Sequence, residues 1–176
     1  MREPESGAVP RFTTGFYFQT LSLLFRKPGQ FFSRIPENVG FGQPFAFLSV
    51  SGVIYVLAAM VTPAPNPLLA STVRLINAIG MPLFTSGVGF FFVMAFIRRR
   101  IRYPLFFSVY AYSSGLILLV AWIPGWLWLT ELARWVLIGV GLTRSMALPR
   151  WQAGVVIVVS IGLTILFFGA LSHLLR

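Results

Sequence analysis

"LINAIGMPLFTSGVGFFFVMAFI", residues 75–97, runs for 23 residues without a charged side chain. As a helix rising about 1.5 Å per residue, it crosses the roughly 30 Å of hydrocarbon in a bilayer. Four further apolar blocks repeat the pattern, at residues 44–62, 104–123, 126–143 and 153–175. They are long continuous blocks rather than short alternating runs, which is the signature of membrane-spanning helices. The composition agrees: 57% of residues are hydrophobic, 16% aromatic and 10% charged, against the roughly one quarter charged of a soluble domain. The expected fold is therefore all-α, a polytopic membrane protein with five transmembrane helices over residues 44–175. Residues 1–43 are expected to form a cytoplasmic tail carrying an amphipathic helix.

The breaks between blocks have local causes. "TPAPNP", residues 62–67, ends the first span because three prolines remove backbone donors and fix φ. Pro124-Gly125 predicts a tight reversal between the third and fourth spans. Orientation follows from the cations, since retained loops carry the excess of Arg and Lys. Arg2, Arg11, Arg26, Lys27, Arg34, Arg98, Arg99, Arg100, Arg102, Arg144 and Arg150 fall on one side of a five-span arrangement, while Arg74 and Arg176 fall on the other. The N-terminus is thus expected in the cytoplasm and the C-terminus outside. Glu3 and Glu5 stand where a cleavable signal would need positive charge, so the first span is expected to act as the insertion signal.

Ahead of that span, Gly15, Gln19, Ser22 and Arg26 recur at helical spacing, with Phe18, Leu21, Leu24 and Phe25 on the other face. Two placements fit: the helix lies in the membrane interface, or it packs on the cytoplasmic ends of the spans. Arg26, Lys27, Arg34, Arg98, Arg99, Arg100 and Arg102 are the candidate contacts to anionic lipid headgroups. The formal net charge of +10 would suggest nucleic acid in a soluble protein, but one-sided charge flanking apolar spans points to topology and lipid instead, and no nucleic-acid partner is expected.

The chemistry is bounded by what is scarce. The chain has no cysteine and one histidine, His173. Its four acidic residues are Glu3, Glu5, Glu37 and Glu131. No phosphate-cradling glycine loop or catalytic motif occurs, so neither enzyme activity nor a metal or other cofactor is expected. Small pairs four apart (Ala111 with Gly115, Thr85 with Gly89, Gly139 with Thr143, Gly141 with Ser145, Ser160 with Thr164) favour close helix packing in lipid and a compact bundle, with room for a membrane-protein partner or a second copy.

One pair of charges lies inside a span: Glu131 and Arg134 in "WLWLTELARWVL", residues 126–137. A lone charge near the bilayer centre costs roughly 2.5 to 3.5 kcal/mol on insertion scales, and two groups three apart on a helix can pair. The pair reads as a structural seal, as an interfacial start to the span, or as a functional site.

Three stretches resemble the Yip family of five-span membrane proteins, in its bacterial form. They are "LLFRKPGQFFSRIP" before the first span, "YAYSSG" at residues 110–115, and "IPGWLWLTELARWVLIGVGLTRSMALPRWQAG" at residues 123–154. The last holds a proline-glycine reversal, a tryptophan-bearing fourth span, Gly141-Leu142 and a short basic loop leading to Ala153. The likeness extends over residues 16–168. It implies a cytoplasmic N-terminus, an outer C-terminus and, from eukaryotic members, a link to prenylated Rab GTPases. The acidic "DLYGP" type of motif that marks those members is absent, for the chain has no Asp. The expected function is accordingly a non-catalytic scaffold in a bacterial inner membrane. The alternative is a small transporter or channel subunit whose path passes Glu131 and Arg134.

Overall fold

The computed structural model describes residues 12–174 other than 64, 98, 99 and 124, with side chains except at 127 and 167–174. Every described element is helical. The order is α1 (Thr14–Arg26), α2 (Pro28–Ser33), α3 (Gly42–Ala59), α4 (Pro67–Phe92), α5 (Tyr103–Leu118), α6 (Leu127–Ser145) and α7 (Arg150–Leu174), and a π-helical turn over Val93–Ile97 widens the end of α4.

Capping chemistry sets the starts. Pro28, Pro67 and Pro104 each sit in the first turn of a helix, where a missing N–H costs nothing. Thr13 Oγ1 accepts from Phe16 N at 3.2 Å, and Asn66 Oδ1 from Leu69 N at 3.1 Å, each satisfying an orphan donor. Two boundaries differ from the apolar blocks. Helix α4 begins at Pro67 rather than at residue 75, so Arg74 lies within the helix and not in a loop. Helix α5 ends at Leu118, and residues 119–123 turn through short-range bonds such as Val120 N to Ile117 O at 3.0 Å. The reversal is therefore longer than a proline-glycine pair. Gly125 takes φ +86° in it, and Pro124 lies outside the described residues.

Two helices, Gly42–Ala59 and Pro67–Ile97, are long and apolar enough to cross a membrane. They belong to a bundle organised around α5. Residues 105–115 are all buried, a helix enclosed on every side. Helices α3, α4, α6 and α1 contact it, while α7 packs on α4 and α6.

Glycines permit this enclosure. A Cβ on Gly115 would lie 2.7 Å from Phe47 Cε1, and one on Gly89 would lie 2.9 Å from both Tyr110 Oη and Ser160 Oγ. A Cβ on Gly141 would collide with Val109 Cγ1. The small pairs thus fall at three different faces of the bundle, where backbones approach through missing side chains. Aromatic rings complete the packing: Phe41 stacks on Phe107 at 4.3 Å, and Phe47 touches both Tyr17 at 5.0 Å and Tyr112 at 5.2 Å.

The N-terminal helices are built into this core. Tyr17 Oη and Ser51 Oγ share a buried hydrogen bond of 3.0 Å, and Phe31 meets Tyr112 edge-on at 5.0 Å. The expected faces of α1 are corrected here. Tyr17, Thr20 and Leu24 face the bundle, whereas Phe18 and Phe25 are 65% and 78% exposed. The spacing explains it: Tyr17, Leu21 and Leu24 form one stripe at i, i+4 and i+7, and Phe18 with Phe25 forms the next stripe round. One apolar stripe is used for packing and the other is left outward.

Replacing Gly115 with Ala is expected to lower stability in detergent by about 1 to 3 kcal/mol through overpacking against Phe47. Gly80 has nothing within 4 Å of its Cβ direction, so Gly80→Ala is expected to be neutral or to stabilise by about 0.5 to 1 kcal/mol. Thermal unfolding of the two variants checks this, and equal midpoints would refute the close contact.

Candidate functional site

Helices α3, α4, α5 and α6 line a half-open cavity of about 420 Å³ at the end of the bundle away from α1 and α2. Its polar lining comes from Tyr55 on α3, Arg74 and Asn77 on α4, Ser114 on α5, and Thr130, Glu131 and Arg134 on α6. Met81, Ile117 and Ala121 supply apolar wall. The charged pair expected from the sequence is formed: Arg134 Nη2 donates to Glu131 Oε2 at 2.5 Å, with the side chains 20% and 41% exposed respectively. The helix makes this contact by itself, since residues three apart lie about one turn apart on one face.

Arg134 does more than pair. Its guanidinium lies 5.2 Å from the centre of the Trp135 ring, a cation–π contact worth about 0.5 to 1 kcal/mol or more when desolvated. Its Nε is buried without an acceptor. Ser113 Oγ is a further buried polar atom without a partner, and the hydroxyls of Tyr110 and Ser160 meet at Gly89.

Arg74, which adjoins the second apolar block in the sequence, lies within α4 and reaches this cavity. Its Nη1 donates to Ala59 O at 2.9 Å, a carbonyl in the last turn of α3 that also accepts from Thr62, and a cation there suits the helix dipole. Tyr55 and Asn77 were not singled out by sequence reasoning. The one signal for Arg74 was a cation directly adjoining an uncharged block, and tertiary packing alone shows which neighbour it serves. Pro82 lies in the same wall inside α4. Lacking an N–H, it leaves the Ala78 carbonyl without its helical donor.

With two guanidinium groups and one carboxylate, the cavity carries one net positive charge. It can hold water or a small anion against apolar wall, while general acid–base work would rest on Glu131 alone. Among the described residues, no cluster of three His, Cys, Asp or Glu is arranged to hold a metal.

The candidate headgroup contacts divide into groups. Arg26, Lys27 and Arg34 border one hollow of about 650 Å³, together with Phe18. Arg100 and Arg102 border another of about 400 Å³, beside Glu37. Arg98 and Arg99 lie outside the described residues, as does the side chain of His173. Between the Arg100–Arg102 hollow and the Glu131–Arg134 cavity lies packed core. Phe106, Phe107, Val109, Tyr110, Ile138 and Leu142 are all fully or almost fully buried there.

Comparisons with protein-family models, with curated proteins and with solved structures each found no match. The functional reading accordingly rests on geometry and on the sequence motifs.

Arg134→Ala is expected to lower the thermal midpoint in detergent more than Glu131→Gln. The first change leaves a carboxylate beside apolar wall that can neutralise itself only by taking a proton, and it removes the ring contact. The second keeps a hydrogen-bond acceptor for Arg134. Identical, wild-type midpoints for both would exclude a structural role for the pair.

Proposed function

We propose that the chain is a non-catalytic integral membrane protein in which α3 to α7 are five spans. The N-terminus is cytoplasmic and the C-terminus lies outside a bacterial inner membrane. In this reading the protein acts as a scaffold of the Yip type, engaging anionic headgroups, a membrane-protein partner or a second copy.

The observation that carries this reading is the distribution of exposed apolar side chains. Leu57 on α3, Phe91 on α4, Leu132 and Val136 on α6 and Val158 on α7 are each at least 60% exposed. Large apolar side chains exposed on four helices are unfavourable in water and matched to lipid. The enclosed α5 then needs no long apolar exterior, for its neighbours shield it from lipid. Arg100, Arg102, Arg144 and Arg150 belong to one end of the up-and-down bundle and Arg74 to the other, the asymmetry expected of retained loops. The packed core between the two end cavities supports a scaffold over a conduit.

The absence of cysteine makes a labelling test direct. Single cysteines at Pro65 and Trp126 are expected to react with a membrane-impermeant maleimide added to intact cells, and those at Arg100 and Pro149 to react only after permeabilisation. Pro65 and Pro149 reacting alike would overturn the five-span arrangement.

A second reading is favoured by the cavity itself, which reaches the charged pair as a carrier open to one side would. Flux of chloride or phosphate into proteoliposomes tests it. Transport above empty vesicles that falls in Glu131→Gln would support a carrier, and no such flux would leave the scaffold.

A further inference from the structure

A groove of about 940 Å³ runs between α6 and α7, with Pro28 and Gly29 of α2 at its border, separate from the cavity at the charged pair. Leu132 and Val136 line it toward one end, Gly139 and Gly154 lie along it, and Arg144 and Arg150 line the other end. Both arginines are exposed. They flank the short connection between the two helices, so the groove is apolar along its length and cationic at one mouth.

We propose that this groove binds one anionic phospholipid of the cytoplasmic leaflet, an acyl chain lying along the groove and the phosphate resting against Arg144 and Arg150. The proposal rests on the membrane reading above.

Length favours a single lipid. From Leu132 to Arg144 is twelve residues, or about 18 Å of helix, close to one leaflet's half of a roughly 30 Å hydrocarbon layer with the headgroup added. A partner helix would need an apolar strip through both leaflets. The space exists because side chains are missing: a Cβ on Gly154 meets nothing within 4 Å, and one on Gly139 meets only Ile157 Cδ1, at 3.3 Å. Charge selects the headgroup. No acidic side chain lines the groove among the described residues, and guanidinium groups suit phosphate oxygens. The groove's basic mouth adjoins the Arg26, Lys27 and Arg34 hollow through Pro28 and Gly29, but the two hollows share no lining residue.

Native mass spectrometry of the detergent-purified full chain, titrated with dioleoylphosphatidylglycerol or dioleoylphosphatidylcholine, tests the proposal. The wild type is expected to retain one phosphatidylglycerol at least fivefold more strongly than phosphatidylcholine, the preference that about one cation's attraction supplies. The double variant Arg144→Gln/Arg150→Gln is expected to lose that preference. Gly154→Leu points a side chain into open space and is expected to fold normally while reducing retention of both lipids. Equal retention by wild type and both variants would overturn the proposal. So would a stable dimer that Gly154→Leu dissociates, because a helix would then occupy the groove. Carbonate extraction of the native membranes separates the two levels: release of the chain would refute the membrane reading, whereas a chain that stays while lipid preference is absent refutes the groove alone.

Discussion

The structure depends on burying one short helix from every side. Helix α5 has no exposed stripe over residues 105–115, so its neighbours must approach closely all the way round. That approach is possible because Gly115, Gly89 and Gly141 present no side chain where Phe47, Tyr110 with Ser160, and Val109 come in. In the membrane setting proposed above, the gain from such contacts is close packing rather than escape from water, which makes the missing methyl groups decisive. One serine of α5 follows the same logic. Ser108 is satisfied by its own helix, donating to Leu105 O at 2.7 Å, so a fully buried hydroxyl needs no partner on another helix.

Once α5 is enclosed, charge can be held only at the ends. The Glu131–Arg134 pair and Arg74 meet in one end cavity, while the basic residues near α1, α2 and the α4–α5 and α6–α7 connections gather at the other end. Arg134 is held by a carboxylate and an indole ring, and Arg74 by the terminal carbonyl of α3. Both are ways of carrying a guanidinium into a low-dielectric bundle without leaving it bare. Phe18 and Phe25, beside Arg26 and Lys27, continue the basic end with an apolar outward stripe suited to an interface.

Much of this was legible in the chain. The apolar blocks, the proline-rich break at residues 62–67 and the spacing of Glu131 and Arg134 are local features, and local rules describe them well. The spacing of Phe18, Leu21, Leu24 and Phe25 predicts an amphipathic helix with one apolar face, whereas the structure buries Leu24 and leaves Phe18 and Phe25 outward. The charge on Arg74 marks the edge of the uncharged block at residue 75, whereas α4 starts at Pro67 and a carbonyl on another helix holds Arg74 within the bundle. The groove between α6 and α7 was visible only as scattered glycines, which have the same appearance whether they are packed tightly, like Gly141, or left open, like Gly154.

The sequence by itself determined the helical class, the apolar surface and the pairing of Glu131 with Arg134, since composition and i,i+3 geometry act within a few residues of chain. The tertiary structure decided that α5 is the central helix, that α1 and α2 are part of the core, and that Arg74 reaches the same cavity as the charged pair. Those outcomes depend on which helix faces meet, and in a chain of uniformly apolar helices the pattern of hydrophobicity scarcely distinguishes one face from another. Small residues and the few polar side chains make that choice, and their effect appears only when the helices are placed against one another.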